Sequence, residues 1–353
     1  MLNLTDKLSA LYRSYGYRQF KVNKFEEYDY YARNKDFLVS NRIISFTDTN
    51  GKLMALKPDV TLSVIKNSKD DADITQRMYY NENVYRVSKG SGNFRENSQT
   101  GLECIGYIDD YCIFETLILA ALSLNEISPD FILDISDLDL IPRIMNIIDL
   151  PEQEAEKALG FIGNKDIHDL KKLCEKNSVS EEGFNALSVL ISAYGSPSSA
   201  TEKLKEMPEG FLDKEAFEKL CKITLPLEKE LPGKINIDFS VMSDINYYNG
   251  FIFNGFISGV PRAVLSGGQY DKLLSGMGRK SKGLGFAVFM DALEFLNKKE
   301  EDLDSDVLII YKNDNDPEMI YKKASEYTSK GKSVTLLKKM PGDGRFGEVI
   351  SLG

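Results

Sequence analysis

Strand-forming sequence stops near Pro151 and resumes only at Ile235. Over about residues 151–230, Lys and Glu surround Leu, Ile and Phe at helical spacing, with one break at Tyr194-Gly195-Ser196-Pro197-Ser198-Ser199. A sheet interrupted in this way must gather strands from both sides of the gap. The expected fold class is therefore α+β: a core over residues 1–300, an antiparallel sheet flanked by helices, with a helical insertion at about 151–230. A chain of 353 residues has room for about two domains. After a charged linker, Asn297 to Asp304, residues 304–353 read as a small βαβ tail: strand Val307–Tyr311, helix Pro317–Ser329 and strand Ser333–Leu337. So short a tail buries little core by itself and is expected to pack against something else.

The flanking segments have their own punctuation. Leu4, Leu8, Leu11 and Tyr12 lie at helical spacing and Gly16 stops the helix. Tyr17–Val22 reads as strand. Ile43–Phe46 and Leu53–Leu56 flank an Asn50-Gly51 hairpin signal, and Pro58 opens a helix through Lys66. Met78–Arg86 and Ser98–Ile105 read as strands joined by the polar loop Ser88–Glu96. Cys112–Leu124 is an apolar helix and Phe131–Ile135 a strand. Strand character returns at Ile235–Phe239 and runs on through Phe256; Gly283–Leu296 reads as an apolar helix.

Composition narrows the functions. The four cysteines are scattered with no C-x-x-C pair, which argues against zinc and a disulfide framework and makes the cytoplasm the expected compartment. No signal peptide or run of about 20 apolar residues is present, so no membrane association is expected. The single histidine, His168, reads as a solvated helix residue, which argues against histidine acid–base chemistry. A net charge of −10 disfavours nucleic acid as a partner.

Four segments carry polar chemistry. Asp59 and Thr61, just past a strand, could grip an ammonium group, or Asp59 could simply cap the next helix. On the strand after the polar loop, Gln99, Gly101 and Glu103 share one face, with Gly101 leaving room for a ligand and Arg86 on the neighbouring strand able to hold an anion; a solvent-facing surface explains the same pattern. Tyr247 and Tyr248 point to opposite faces of a strand unless the chain bends there. Ser266-Gly267-Gly268-Gln269-Tyr270-Asp271 and Gly283-Leu284-Gly285-Phe286-Ala287 allow close packing or close ligand approach.

In this order the segments resemble the histidyl-tRNA synthetase family of class II aminoacyl-tRNA synthetases, and more closely its paralogues, the regulatory subunits of ATP phosphoribosyltransferase. Tyr15-Gly16-Tyr17 through Phe25-Glu26 looks like the first class II motif, with Asn23 at the usual proline. Lys57-Pro58-Asp59-Val60-Thr61 is similar to Arg-Pro-Glu/Asp-x-Thr. Tyr85-Arg86 through Gln99 and Glu103 resembles the second motif, Asn246–Gly250 and Ser266–Asp271 the histidine-specific motifs, and Gly285–Leu293 the third. The resemblance implies that Asp59, Thr61, Arg86, Gln99, Glu103, Tyr247 and Tyr248 surround bound histidine. It also implies losses. The catalytic arginine aligns with Ser243, the arginine of Gly-Gly-Arg-Tyr-Asp with Gln269, and the phosphate-binding arginine of the third motif with Ala292; Ser88 stands at a glutamate.

One charge-stabilising donor is worth roughly 10²–10³ in rate, so adenylation without two such arginines is expected to be negligible. The resemblance thus implies a non-catalytic regulatory subunit acting in the first step of histidine biosynthesis, without cofactor or metal. It would form a homodimer through the first motif and a hetero-oligomer with the short-form catalytic subunit of ATP phosphoribosyltransferase, with L-histidine as effector. The alternatives are a divergent synthetase using Lys57, Arg279 or Lys282 as replacement cations, and a free-standing histidine sensor.

Overall fold

Gln76–Val87 and Phe94–Gly106 pair along their length as a long antiparallel hairpin, and the rest of the main sheet is assembled on it. The computed structural model describes residues 3–34, 38, 42–88, 92–241, 247–299, 303–342 and 344–352. It divides into two units, residues 1–295 and 296–353.

The larger unit opens with α1 (Leu4–Ser14), whose Leu8 and Tyr12 are buried as their spacing requires. Of the expected strand Tyr17–Val22 only β1 (Arg18–Gln19) pairs. Next come β2 (Phe25–Glu27), α2 (Tyr28–Arg33), β3 (Ser45–Thr47) and β4 (Leu53–Leu56), which form a small antiparallel sheet in the order β2-β4-β3. Then follow α3 (Val60–Asn67), the long hairpin strands β5 (Gln76–Val87) and β6 (Phe94–Gly106), α4 (Asp110–Ile127) and β7 (Phe131–Asp137). Asp109 caps α4 by accepting from Cys112 N at 2.8 Å.

Helical structure begins earlier than expected. A 3₁₀ turn at Leu138–Leu140 leads into α5 (Ile141–Ile148), then α6 (Glu152–Gly163), α7 (Ile167–Lys176), α8 (Glu181–Ser192), α9 (Pro197–Leu204) and α10 (Lys214–Glu230). The break at Tyr194–Ser199 is where this region returns to the sheet, for Gly195 bridges Ile237 of β8 (Ile235–Ile237). His168 is exposed on α7. The chain then adds β9 (Asn249–Ile257), β10 (Leu265–Gln269), α11 (Asp271–Gly276) and β11 (Lys282–Phe289). The eight strands run β1-β5-β6-β11-β10-β9-β7-β8, antiparallel except for the parallel pairs β1/β5 and β7/β8 at the edges.

β11 corrects the helix expected over Gly283–Leu296. Residues 282–289 are strand, hydrogen-bonded to both β6 and β10, and only Met290–Lys299 is helical, as 3₁₀. A short apolar run fits a buried strand as well as a buried helix. Gly283 and Gly285, two residues apart, were the sign of period two. A Cβ at Gly285 would collide with the Glu103 carboxylate and the Leu102 carbonyl of the paired strand. Gly101 does not hold space open for a ligand, as its position on the strand suggested: the Tyr80 hydroxyl fills that space.

The smaller unit contains β12 (Ser305–Ile310), α12 (Pro317–Thr328), β13 (Val334–Leu337) and β14 (Phe346–Ser351), in a parallel sheet ordered β13-β12-β14. β14 extends the expected βαβ by one strand.

Gly285→Ala should overpack a rigid strand pair and lower unfolding free energy by about 1–3 kcal/mol. Denaturant titration of the variant checks this; an unchanged midpoint would mean that β6 and β11 can separate to admit a methyl group.

Candidate functional site

Asp59 begins the site because it ends an extended segment and caps α3: its Oδ1 accepts from Leu62 N at 2.9 Å. Capping leaves Oδ2 available, and this oxygen lies 3.9 Å from Arg86 Nη2. Arg86, on β5, is steadied by donating from Nε to the Pro58 carbonyl at 3.0 Å. The capping and ligand readings of Asp59 are therefore compatible, since each uses a different oxygen. Burial pushes the Asp59 carboxyl up while Arg86 pulls it down. The pair presents a carboxylate beside a guanidinium, the two charges that complement an amino-acid zwitterion.

One turn into α3, Thr61 donates to Glu103 Oε1 at 2.6 Å. Tyr270, at the end of β10, donates to Glu103 Oε2 at 2.5 Å. Glu103 is fully buried, which excludes the solvent-facing reading of its strand face. Burial, only partly offset by these two hydroxyls, pushes its carboxyl up to about 8. At neutral pH Glu103 is thus mainly the protonated acid. Gln99, one turn of the pleat away, is buried between Glu82 of β5 and Phe289 of β11.

Tyr247 and Tyr248 precede β9, so strand alternation does not separate them. Their ring centroids lie 4.6 Å apart at 71°. Tyr247 stands 6.3 Å from the Tyr270 ring and close to Thr61, while Tyr248 covers Gly268. Proximity to Asp59 and Glu103, on top of burial, holds the Tyr247 hydroxyl well above the usual tyrosine range. Asp59, Thr61, Arg86, Glu103 and Tyr247 come together. Tyr270 joins them; its segment resembles a histidine-specific motif, but Tyr270 itself is not among the expected contact residues.

The positions aligned with lost arginines have other occupations. Gln269 is buried and accepts from Phe251 N at 2.9 Å, over Gly250 at φ 58. Ala292 is buried, and beside it Asp291 accepts from Asn97 Nδ2 and Arg262 Nη2, each at 2.8 Å. Ser243 lies outside the described residues, as do 89–91 of the polar loop. Among the candidate replacement cations, Lys57 is fully buried against Glu82 at 2.6 Å. Arg279 donates to the Ile65 and Ser68 carbonyls and faces Asp70 at 3.6 Å; Lys282 is exposed. Among the described residues, no group of His, Cys, Asp and Glu could hold a metal. No helix among them is long and apolar enough to cross a membrane.

A family model described as histidyl-tRNA synthetase matches residues 1–293. The ATP phosphoribosyltransferase regulatory subunit of Acetivibrio thermocellus is 26% identical over 322 residues, covering 88% of this chain and 77% of that protein. The protein of the same description from Caldanaerobacter subterraneus is 28% identical over 345 residues, covering 95% and 89%. A solved structure from Bacillus halodurans, described as an ATP phosphoribosyltransferase regulatory subunit/histidyl-tRNA synthetase, superposes with a TM-score of 0.71 at 21% identity, covering 99% of this chain and 93% of that one. A chain of an ATP phosphoribosyl transferase complex from Thermotoga maritima gives 0.66 at 22% identity, covering 82% and 98%. These two structures show the class II synthetase-like fold.

The displaced carboxyl value makes a pH prediction. In the unfolded chain Glu103 loses its proton near pH 4.5, whereas in the folded protein it keeps it to about 8. Its burial therefore costs more stability as pH rises through that window and no more above it. Glu103→Gln keeps a partner for each hydroxyl and removes the cost. Relative to wild type, the variant should gain stability by up to about 1.4 kcal/mol per pH unit between pH 5 and 8, with near equality at pH 5. Parallel stability curves across this range would place the shifted carboxyl elsewhere.

Proposed function

The chain belongs to the histidyl-tRNA synthetase family, and on that premise we propose that it is a regulatory subunit of ATP phosphoribosyltransferase that binds L-histidine without activating it. The observation that carries this reading is the contrast between the groups that meet around Glu103 and the committed state of the candidate cations. Asp59 and Arg86 face each other as partners for an ammonium and a carboxylate, and Glu103 with Tyr270 and Thr61 offers a polar end for an imidazole. The cations that could have replaced the family's phosphate-binding arginines are committed or turned outward: Lys57 to Glu82, Arg279 to carbonyls of α3, Lys282 to solvent. Beside Ala292, Asp291 places a carboxylate paired with Arg262. A triphosphate there meets a carboxylate–guanidinium pair in place of an uncommitted arginine.

The residues surrounding histidine are then Asp59, Thr61, Arg86, Gln99, Glu103, Tyr247 and Tyr248, with Tyr270 added. The chemistry on ATP belongs to a separate catalytic subunit, and the histidine effect requires that L-histidine bind one state of the complex more tightly than another. Residues 1–300 make the synthetase-like core and 304–353 a small α/β tail. The protein is a cytoplasmic homodimer. Phe25 and Phe46, with rings 5.3 Å apart, are exposed together with the half-buried Met54 on the outer face of the β2-β4-β3 sheet in the first-motif region. An apolar patch of this kind suits a second copy.

Calorimetric titration should show L-histidine binding in wild type. Asp59→Asn, which keeps the helix cap, should weaken it by about 1.5–3 kcal/mol. The same preparation should give no histidine-dependent ATP–pyrophosphate exchange; robust exchange would make the protein a synthetase. Light scattering should find a dimer that Phe25→Asp dissociates, and a monomeric wild type would remove that interface.

A further inference from the structure

β6 leaves the pocket at Glu103 and reaches the molecular surface four residues later at Tyr107. There a groove of about 700 Å³ opens between the start of α4 and the middle of α10. Tyr107 and Tyr111 are 56% and 59% exposed on its wall, and Phe114 and Pro226 line it below. Two exposed tyrosines next to one another on a concave surface are the residues that recur at the centres of protein interfaces. Its charge is mixed, with one carboxylate in excess. Asp109 and Asp110 stand at the rim with Lys222, which is already paired with Asp110 at 2.6 Å. Backbone hydrogen bonds at the helix start hold the Asp109 carboxyl below the usual range, so it stays ionised. The loop before β5 carries Ile74, 63% exposed, whose carbonyl lies against Gly106.

Behind the tyrosines the groove is wired into the fold. Glu115 lies close enough to the Tyr111 hydroxyl to hold it above the usual tyrosine range. Buried Glu115 accepts from Tyr17 at 3.3 Å and faces Arg77 at 3.4 Å, and the Tyr17 hydroxyl lies 3.1 Å from Cys104 Sγ. Cys104 is the neighbour of Glu103 in the chain and points to the opposite face of β6. Tyr107 and Glu103 are about 13 Å apart along one strand. Groove and pocket are thus two ends of the same paired element.

We propose that this acidic, tyrosine-lined groove docks a basic segment of the catalytic subunit, with lysine or arginine side chains laid over Tyr107 and Tyr111 and held by Asp109. The inference rests on the regulatory reading above and names the surface that reading needs. Cations stack favourably on tyrosine faces, and acidic rims attract them from solution. A neutral apolar partner would leave the rim carboxylates uncompensated.

The test uses the full chain and the short-form catalytic subunit, with their association followed by calorimetry at low and high salt. The double variant Tyr107→Ala/Tyr111→Ala should bind the subunit at least about tenfold more weakly than wild type, with unchanged L-histidine affinity and unchanged thermal midpoint. Lys222→Glu, at an exposed position, makes the groove more acidic and should tighten association several-fold at low salt, an advantage that fades at high salt. If wild type binds the subunit and the double variant binds equally well, the groove is not the docking site. Weaker binding by Lys222→Glu overturns the basic character of the partner segment. A wild-type chain that does not bind the subunit at all overturns the functional reading itself.

Discussion

A carboxyl group with no access to water sits at the centre of this protein. Glu103 is held by Thr61 from α3 and Tyr270 from β10, and lies against Gly285 of β11. Every other part of the pocket is placed by that arrangement. The Thr61 bond fixes the first turn of α3 and with it Asp59; the Tyr270 bond fixes the end of β10 where α11 begins. An acid buried this deeply is tolerated only when hydrogen bonds replace its lost hydration, and two hydroxyls do so incompletely, which is why its pKa rises. A group that destabilises the folded chain at neutral pH, surrounded by aromatic side chains, is better explained by a ligand than by the needs of the fold.

The electrostatics of the surrounding shell follow a consistent division. Asp59 keeps one oxygen outside its capping bond, whereas Asp291, just after β11, is paired with Arg262. Positive groups are held by the protein itself, Lys57 by Glu82 in the interior and Arg279 by the carbonyls that end α3. Arg86 is the exception, and its 3.9 Å separation from Asp59 is a loose contact that a zwitterion can replace on both sides at once. A small amino acid fits such a charge pattern.

Much of this was readable from residues alone. The α+β core, the helical region between two groups of strands and the hairpin that carries Arg86, Gln99 and Glu103 all followed from periodicity and turn residues. Seven histidine-contact candidates came from a resemblance, and five of them meet within the described structure as a cluster around Thr61. What was hidden depended on three-dimensional pairing. β11 passed for a helix because a buried strand and a buried helix are equally apolar; the alternating Gly283 and Gly285 were the available clue. Tyr247 and Tyr248 could share a wall only because the strand starts after them, at Asn249. Tyr270 needed the register of β10 against β11 to be seen facing Glu103. The occupations of Lys57 and Arg279 are contacts across 25 and more residues, beyond any local pattern.

Regulation needs more than a pocket, because a ligand shifts an equilibrium only by its difference in affinity for the two states. β6 supplies a physical route for such a difference. It is paired along most of its length on both sides, by β5 and β11, so it cannot bend freely between Glu103 and the surface. Its opposite face carries the Cys104–Tyr17–Glu115–Arg77 network, buried and polar, whose hydrogen bonds are costly to leave unmade. A displacement at Glu103 is therefore resisted locally and is relieved most cheaply where pairing ends, after Gly106. Coupling is reciprocal by thermodynamic necessity. If an occupant of the surface beyond Gly106 alters the grip on a ligand at Glu103, the ligand alters the grip on that occupant by the same factor.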